Sequence, residues 1–221
     1  MIKINLEVDQ GIPQYGCSSC WNCQSDFGKS LCSVKNRGCC WYFPKFSMYE
    51  IHKMVKTEEG LETLKKIINL PKTKIHNYYI HAKGYFDEAG YNEYIKNEYK
   101  CGTTVKDKTI FFRACPFVEA GKGCTLPKRY RSFVCNFFIC DDILNKAEKY
   151  DEFKNYINER NSYARWIEWE NVSLEALFME QKLNLVNNYD KIINILKDMP
   201  LREYEFLNLV PIEILDEGEY K

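Results

Sequence analysis

Three cysteines recur at three-residue spacing in CSSCWNC, so Cys17, Cys20 and Cys23 lie close together in any tight loop. A two-residue gap lets both thiolates reach one metal while the intervening amides face the sulfurs. That suits tetrahedral zinc or one face of an iron–sulfur cube. A third cysteine at the same spacing is more natural for a four-iron cluster, because structural zinc sites take their ligands in separated pairs. The bacterial ferredoxin run needs a fourth cysteine followed by proline three residues on; Gln24 begins a different stretch here, which argues against an ordinary ferredoxin.

Further thiols follow in GCC, with Cys39 and Cys40, and in CPFVEAGKGCTLPKRYRSFVC, with Cys115, Cys124 and Cys135. Neighbouring side chains of an extended segment point to opposite sides. One of Cys39 and Cys40 therefore ligates a given metal, unless Gly38 lets the backbone turn sharply. The candidate ligands are Cys17, Cys20, Cys23, Cys39, Cys40, Cys115, Cys124 and Cys135, and the expected cofactor is an iron–sulfur cluster or zinc. Cys32, Cys101 and Cys140 read as packing or spare redox thiols, although Cys140 is near enough to Cys135 to join a second site. Eleven thiols suffice for two four-ligand sites with three left over. None of His52, His76 and His81 stands at ligand spacing from a cysteine.

The wider composition supports thiol chemistry in a reducing compartment. Eleven is an odd number, which a full disulfide framework would not use up, and MIKINLEVDQGIP carries acidic residues where a signal sequence would be apolar. The expected location is the cytoplasm, where clustered thiols mean metal or redox chemistry. Lys plus Arg equals Asp plus Glu at 31 each, so no net field draws the chain to nucleic acid or to an anionic membrane. No apolar run approaches the roughly 18 residues of a membrane span. Neither nucleic acid nor membrane is an expected partner.

The elements that must position the thiols are mainly α-helical, with irregular cysteine-rich loops stapled by metal and one small β-hairpin. All cysteines precede residue 141, which divides the chain into a cysteine-cluster domain, 1–140, and a helical tail, 141–221, packed on it. Ser47 and Glu50 form a capping box ahead of an apolar helical stripe at Met48, Ile51, Met54 and Val55. A second short helix is predicted over 61–69. Residues 73–100 read as a long loop with one strand around NYYIHAKGYF, and TTVKDKTIFFRA reads as the hairpin. In the tail, Tyr150, Phe153, Ile157, Ala164 and Ile167 mark one helix, and Ser173 is predicted to cap another that ends before Pro200. FLNLVPIEIL reads as a last strand or an extended packing segment. The tail stripes are expected to be core, with a protein partner as the alternative occupant.

GCCWYFPKFSMYEI, CPFVEAGKGC and CTLPKRYRSFVCN, in this order, resemble the YkgJ-like cysteine-cluster family with its CxxCxxCC signature. Its pattern is a cysteine group ending in CC, a capped helix, a Cys-aromatic element and a closing Arg-Pro-x-x-Cys-Arg element. The resemblance covers residues 17 to about 140 and implies a zinc- or iron-chelating domain. Here an insertion carrying Cys23 and Cys32 splits the opening signature, Ser132 stands for the proline, and Asn136 for the last arginine. Flagellin lysine-N-methylases share a similar signature, which implies cluster-dependent methyl transfer from S-adenosylmethionine as an alternative. A structural zinc module serving protein interaction is the other. Lys128, Arg129 and Arg131 read as a solvated charged loop, or, for Arg131, as a charge balancing a thiolate site.

Overall fold

The computed structural model describes residues 3–9, 11–17, 20, 25–97 and 105–215. It is a mixed α/β structure with small antiparallel sheets and a helical C-terminal part. The N-terminal strands β1 (Lys3–Asp9) and β2 (Ile12–Cys17) form a hairpin, and Cys17 ends it opposite Ile4. Strand β3 (Lys45–Ser47) leads directly into α1 (Met48–Val55). The capping box is formed there: Ser47 Oγ accepts the Glu50 N–H at 3.4 Å, and Glu50 Oε2 accepts the Ser47 N–H at 2.8 Å.

Met48, Ile51 and Met54 of α1 have no exposed surface, and Tyr49 and Val55 have almost none. A helix buried on nearly every side must lie at the centre of the fold. Helix α2 (Glu58–Ile68) turns back along α1, its first turn capped by Thr57 Oγ1, which accepts the Gly60 N–H at 3.0 Å. A Cβ at Gly60 would stand 2.1 Å from the Met54 carbonyl oxygen, so only glycine permits this approach. Strands β4 (Thr73–Ile75) and β5 (Tyr79–Ala82) complete a sheet of order β3-β5-β4, which packs Phe46, Ile80 and Ala82 against the helices.

The stretch predicted as a long loop with one strand around NYYIHAKGYF has that strand as β5, and it also contains β4, β6 (Tyr85–Phe86) and α3 (Glu88–Lys96), whose N-terminus Asp87 caps. Of the hairpin predicted in TTVKDKTIFFRA, residues 103 and 104 lie outside the described residues, and from Val105 to Ala114 no hairpin is formed. Lys108–Phe112 is a 3-10 turn, and β7 (Arg113–Ala114) pairs with β6 instead. Ile110, Phe111 and Phe112 are buried as a satellite core against Trp41, Phe86, Tyr91 and Tyr94, and that burial outweighs their β propensity. The hairpin of this region lies further on, between β8 (Val118–Glu119) and β9 (Gly123–Cys124).

After the short helices α4 (Phe133–Asn136) and α5 (Asp141–Ala147), the tail runs as α6 (Asp151–Glu180) and α7 (Leu185–Asp198). Helix α6 does not break at Ser173, whose hydroxyl donates to the Trp169 carbonyl at 2.9 Å inside the helix. It ends where Lys182 adopts φ 56° and the Leu183 N–H reaches back to the Phe178 carbonyl at 2.8 Å, a left-handed helix stop. Asn184 then caps α7, which stops before Pro200. Tyr163, Ile167, Leu174, Phe178, Leu185, Ile192 and Leu196 share the main core with α1 and α2, so these tail stripes are buried within the protein.

Residues 199–207 strap back over α1. Tyr49 Oη donates to the Arg202 carbonyl at 3.0 Å, and His52 Nε2–H donates to the Met199 carbonyl at 3.2 Å. The end of the chain reaches the N-terminal hairpin as β10 (Ile214–Leu215), giving the sheet order β10-β1-β2. Of FLNLVPIEIL only those two residues are strand. No helix among the described residues is long and apolar enough to cross a membrane.

Two outcomes test this packing. Gly60→Ala is expected to lower unfolding free energy by about 1–3 kcal/mol, because the added methyl meets backbone that cannot move alone; an unchanged denaturant midpoint would mean that α1 and α2 are not so close. Burial lowers the His52 pKa below its ordinary 6.5, against the bond to Met199. The unfolded chain therefore binds more protons below pH 6.5, and the His52 contribution is lost as pH falls from 6.5 through the folded value. Stability measured against pH should slope less steeply there in His52→Gln than in the parent.

Candidate metal centre

Residues 36–41 form a compact turn in which Asn36 (φ 51°) and Gly38 (φ 53°) are both left-handed. The Cys40 N–H donates to the Arg37 carbonyl at 3.1 Å, and the Trp41 N–H to that of Cys39 at 2.9 Å. The turn is fastened to the second cysteine group by two further backbone bonds: Cys115 N–H to the Cys40 carbonyl at 2.8 Å, and Gly121 N–H to that of Asn36 at 3.0 Å. Cys40 and Cys115 thus become neighbours although 75 positions separate them in sequence.

Cys124 is brought in by the β8–β9 hairpin, where it pairs with Val118, whose N–H donates to the Cys115 carbonyl at 3.2 Å. Arg131 braces the hairpin's exit, donating from Nε to the Leu126 carbonyl at 3.0 Å and from Nη2 to that of Cys124 at 3.3 Å. Cys135 lies on α4, and α4 is held by the core: the Phe133 N–H donates to Glu50 Oε1 at 2.8 Å. One buried carboxylate therefore caps α1 with one oxygen and α4 with the other. Burial raises the Glu50 pKa, while the Ser47 and Phe133 amides oppose the rise.

The four thiols feel one another. Burial raises the Cys40 pKa, and Cys124 adds to it, whereas Arg131 and Arg37 oppose it. Burial pushes Cys115 up to about 12, against a hydrogen bond from the Phe117 amide and with help from Cys40 and Cys124. Cys135 is driven up by desolvation, then by Cys115, Cys124 and Cys40, and finally by Glu50. Cys135 is also the exposed member of the four, so it occupies a crowded rim rather than a sealed interior. Cys40, Cys115, Cys124 and Cys135 are therefore brought together from a turn, a strand end, a hairpin and a short helix.

The other candidate ligands lie elsewhere. Cys17 and Cys39 pack half-buried against a separate cluster of Cys140, Ile143, Ala147 and Phe153. Cys20 is exposed, and its backbone carbonyl lies so near Gly38 that a Cβ there would stand 2.7 Å from the oxygen. Cys23, like Cys101, lies outside the described residues. Cys32 is fully buried, with its sulfur 3.3 Å from Ser30 Oγ. No disulfide joins the described cysteines, and no three donors among the described residues are drawn together tightly enough to hold a metal ion as they stand.

Arg37 was not singled out by its place in the sequence. Its side chain is 2% exposed and donates to the carbonyls of Gly38 (2.6 Å), Lys29 (2.8 Å) and Ile110 (2.9 Å), while its Nε is buried without a partner. Desolvation lowers its pKa, and the charges it feels in return are those of Cys32, Cys39 and Cys40. No ion pair with a carboxylate is found for it among the described residues. Trp41, stacked on Phe27 at 6.3 Å, likewise has a buried indole N–H without a partner. Comparison with known protein families, curated proteins and solved structures finds no match to this chain.

Glu50→Ala should cost about 2–4 kcal/mol, because it removes the acceptor of the Ser47 and Phe133 amides while the Ser47 hydroxyl still caps α1. Glu50→Gln, with one acceptor oxygen, should fall between it and the parent in denaturant unfolding. Equal stability of all three would mean that α4 is not held through this carboxylate.

Proposed function

We propose that this protein is a metal-binding protein whose centre is held by Cys40, Cys115, Cys124 and Cys135, as zinc or as an iron–sulfur cluster. The observation that carries this reading is the convergence of four thiols from four separate segments onto one another. Packing alone gives no reason for such a convergence, whereas four sulfur donors are the set that zinc and iron–sulfur clusters take. The order of the sequence elements resembles the YkgJ-like family, and in this reading the metal would staple the irregular loops around the centre. The proposed compartment is the reducing cytoplasm, where such thiols stay available.

The donor chemistry fits. Cys40, Cys115, Cys124 and Cys135 would hold the metal as thiolates, which would tie their four segments at one point. Each of the four thiols would release its proton to solvent on metal binding, which would couple affinity to pH. Arg131 and Arg37 lie within electrostatic reach of Cys40 and offset the negative charge that develops there. Cys135 carries the tie to α4 and, through Glu50, to the central helix. With all four positions filled by protein the centre has no open coordination site, and its role in this reading is structural or electron-carrying.

Protein prepared without oxygen should contain zinc, or iron with sulfide and visible colour. Cys115→Ser and Cys135→Ser should each lose the metal of this centre, and chelation should lower the thermal midpoint. A chain with neither metal, whose thiols all react freely with alkylating agents, would overturn the proposal.

A further inference from the structure

The charge of this chain is balanced in total but segregated along the sequence. Residues 27–49 hold four lysine or arginine residues and 63–86 hold five, and neither segment contains an aspartate or a glutamate. These two segments supply all three strands of the β3-β5-β4 sheet. One face of that sheet carries Phe46, Ile80 and Ala82 into the core. The other face is open, and Lys45 and Lys74 on it are exposed.

Register sets the order of side chains on the open face. His81 pairs with Lys45 on one side and with Lys74 on the other. Directly paired residues share a face and neighbouring strands lie about 4.8 Å apart, so the two lysines flank the imidazole in one row across the sheet. Tyr79, two positions before His81, lies on the same face and pairs with Ser47. Its half-buried ring stacks on His76, with 4.3 Å between centroids and 11° between planes, and Lys45 Nζ stands 5.5 Å from its centre. Lys83 adds a further positive charge near His81. Among the described residues no carboxylate pairs with Lys45, Lys74 or Lys83. Like charges side by side on a sheet cost stability, and these strands carry no acid to offset them.

We propose that the open face of the β3-β5-β4 sheet binds single-stranded nucleic acid. The lysines meet phosphates of a strand laid across the sheet, and the Tyr79–His76 pair offers a ring on which a base stacks. Cations beside a stacking ring suit unpaired bases, because a duplex hides the faces of its bases. An acidic peptide would use the charges and leave the ring pair idle. An anionic membrane would call for aliphatic side chains projecting from the face, and Lys45, Ser47, Lys74, Tyr79 and His81 include none. The named contacts involve no thiol, so the proposal stands or falls apart from the metal centre.

The test is fluorescence anisotropy of labelled oligothymidine and oligouridine, each about twelve nucleotides long, titrated with the full-length chain. With three phosphate contacts, affinity should fall roughly twentyfold between about 50 and about 200 mM salt. The double variant Lys45→Gln, Lys74→Gln should bind roughly tenfold more weakly and keep about a third of that salt slope. Both lysines are exposed, so their replacement leaves the core intact. Tyr79→Leu should weaken binding roughly tenfold with the salt slope unchanged. Binding of either oligonucleotide with this pattern supports the proposal, and the tighter one tells RNA from DNA as the source. No binding at the lower salt overturns it, as does binding that either variant leaves intact. Equal affinity for a polyglutamate peptide, or for vesicles of phosphatidylserine, overturns it too.

Discussion

The Glu50 carboxylate accepts an N–H from two helix N-termini, and the geometry of the cysteine-rich side depends on that double duty. Helix α1 is the most enclosed element of the molecule, placed by α2, α6 and α7. Helix α4 has only four residues and could not persist alone, since a single turn lies far below the length at which helices are stable. It is a helix because its first free amide is satisfied by a residue of the core. The position of Cys135 is thus inherited from the best-packed part of the fold, although Cys135 itself is exposed.

Burying Glu50 carries a desolvation cost that its two amide bonds offset in part. Arg37 is a parallel case on the other side of the thiols, a cation whose hydrogen bonds go to carbonyl groups instead of an acid. Carbonyl dipoles solvate a guanidinium without neutralising it. The groups whose charge would favour it are Cys32, Cys39 and Cys40.

Much of the helical architecture could be read from local spacing. Ser47 and Glu50 announced α1, and the apolar repeats around Ile167 and Ile192 announced the tail. Local signals failed where distant contacts decide. Ser173 has the chemistry of a cap, yet inside α6 its hydroxyl bonds one turn back, and the helix stops only where Lys182 turns left-handed without a glycine to advertise it. The run Ile110–Phe112 has strand-forming residues but is folded into a 3-10 turn by the aromatic cluster around it. Among the thiols, the turn that Gly38 permits before Cys39 and Cys40 was legible. The partners on each side were not, because they are chosen by the β8–β9 hairpin, by α4 and by α5, all far along the chain. The alternation in KINLEVD, followed by Gly11, was the available sign of the N-terminal hairpin.

The adjacency of Cys39 and Cys40 sets a limit on how this chain can change in length. The segments between Cys20 and Cys39, or between Cys40 and Cys115, can lengthen or shorten at their loops, because closing a longer loop costs little. Between Cys39 and Cys40 there is no loop to adjust. One inserted residue there would rotate one thiol away from its cluster while leaving the other in place, and one deletion would leave a single sulfur to serve both sides. Over the drift of insertions and deletions that reshapes surface loops, this dipeptide is the fixed point from which the other spacings are measured.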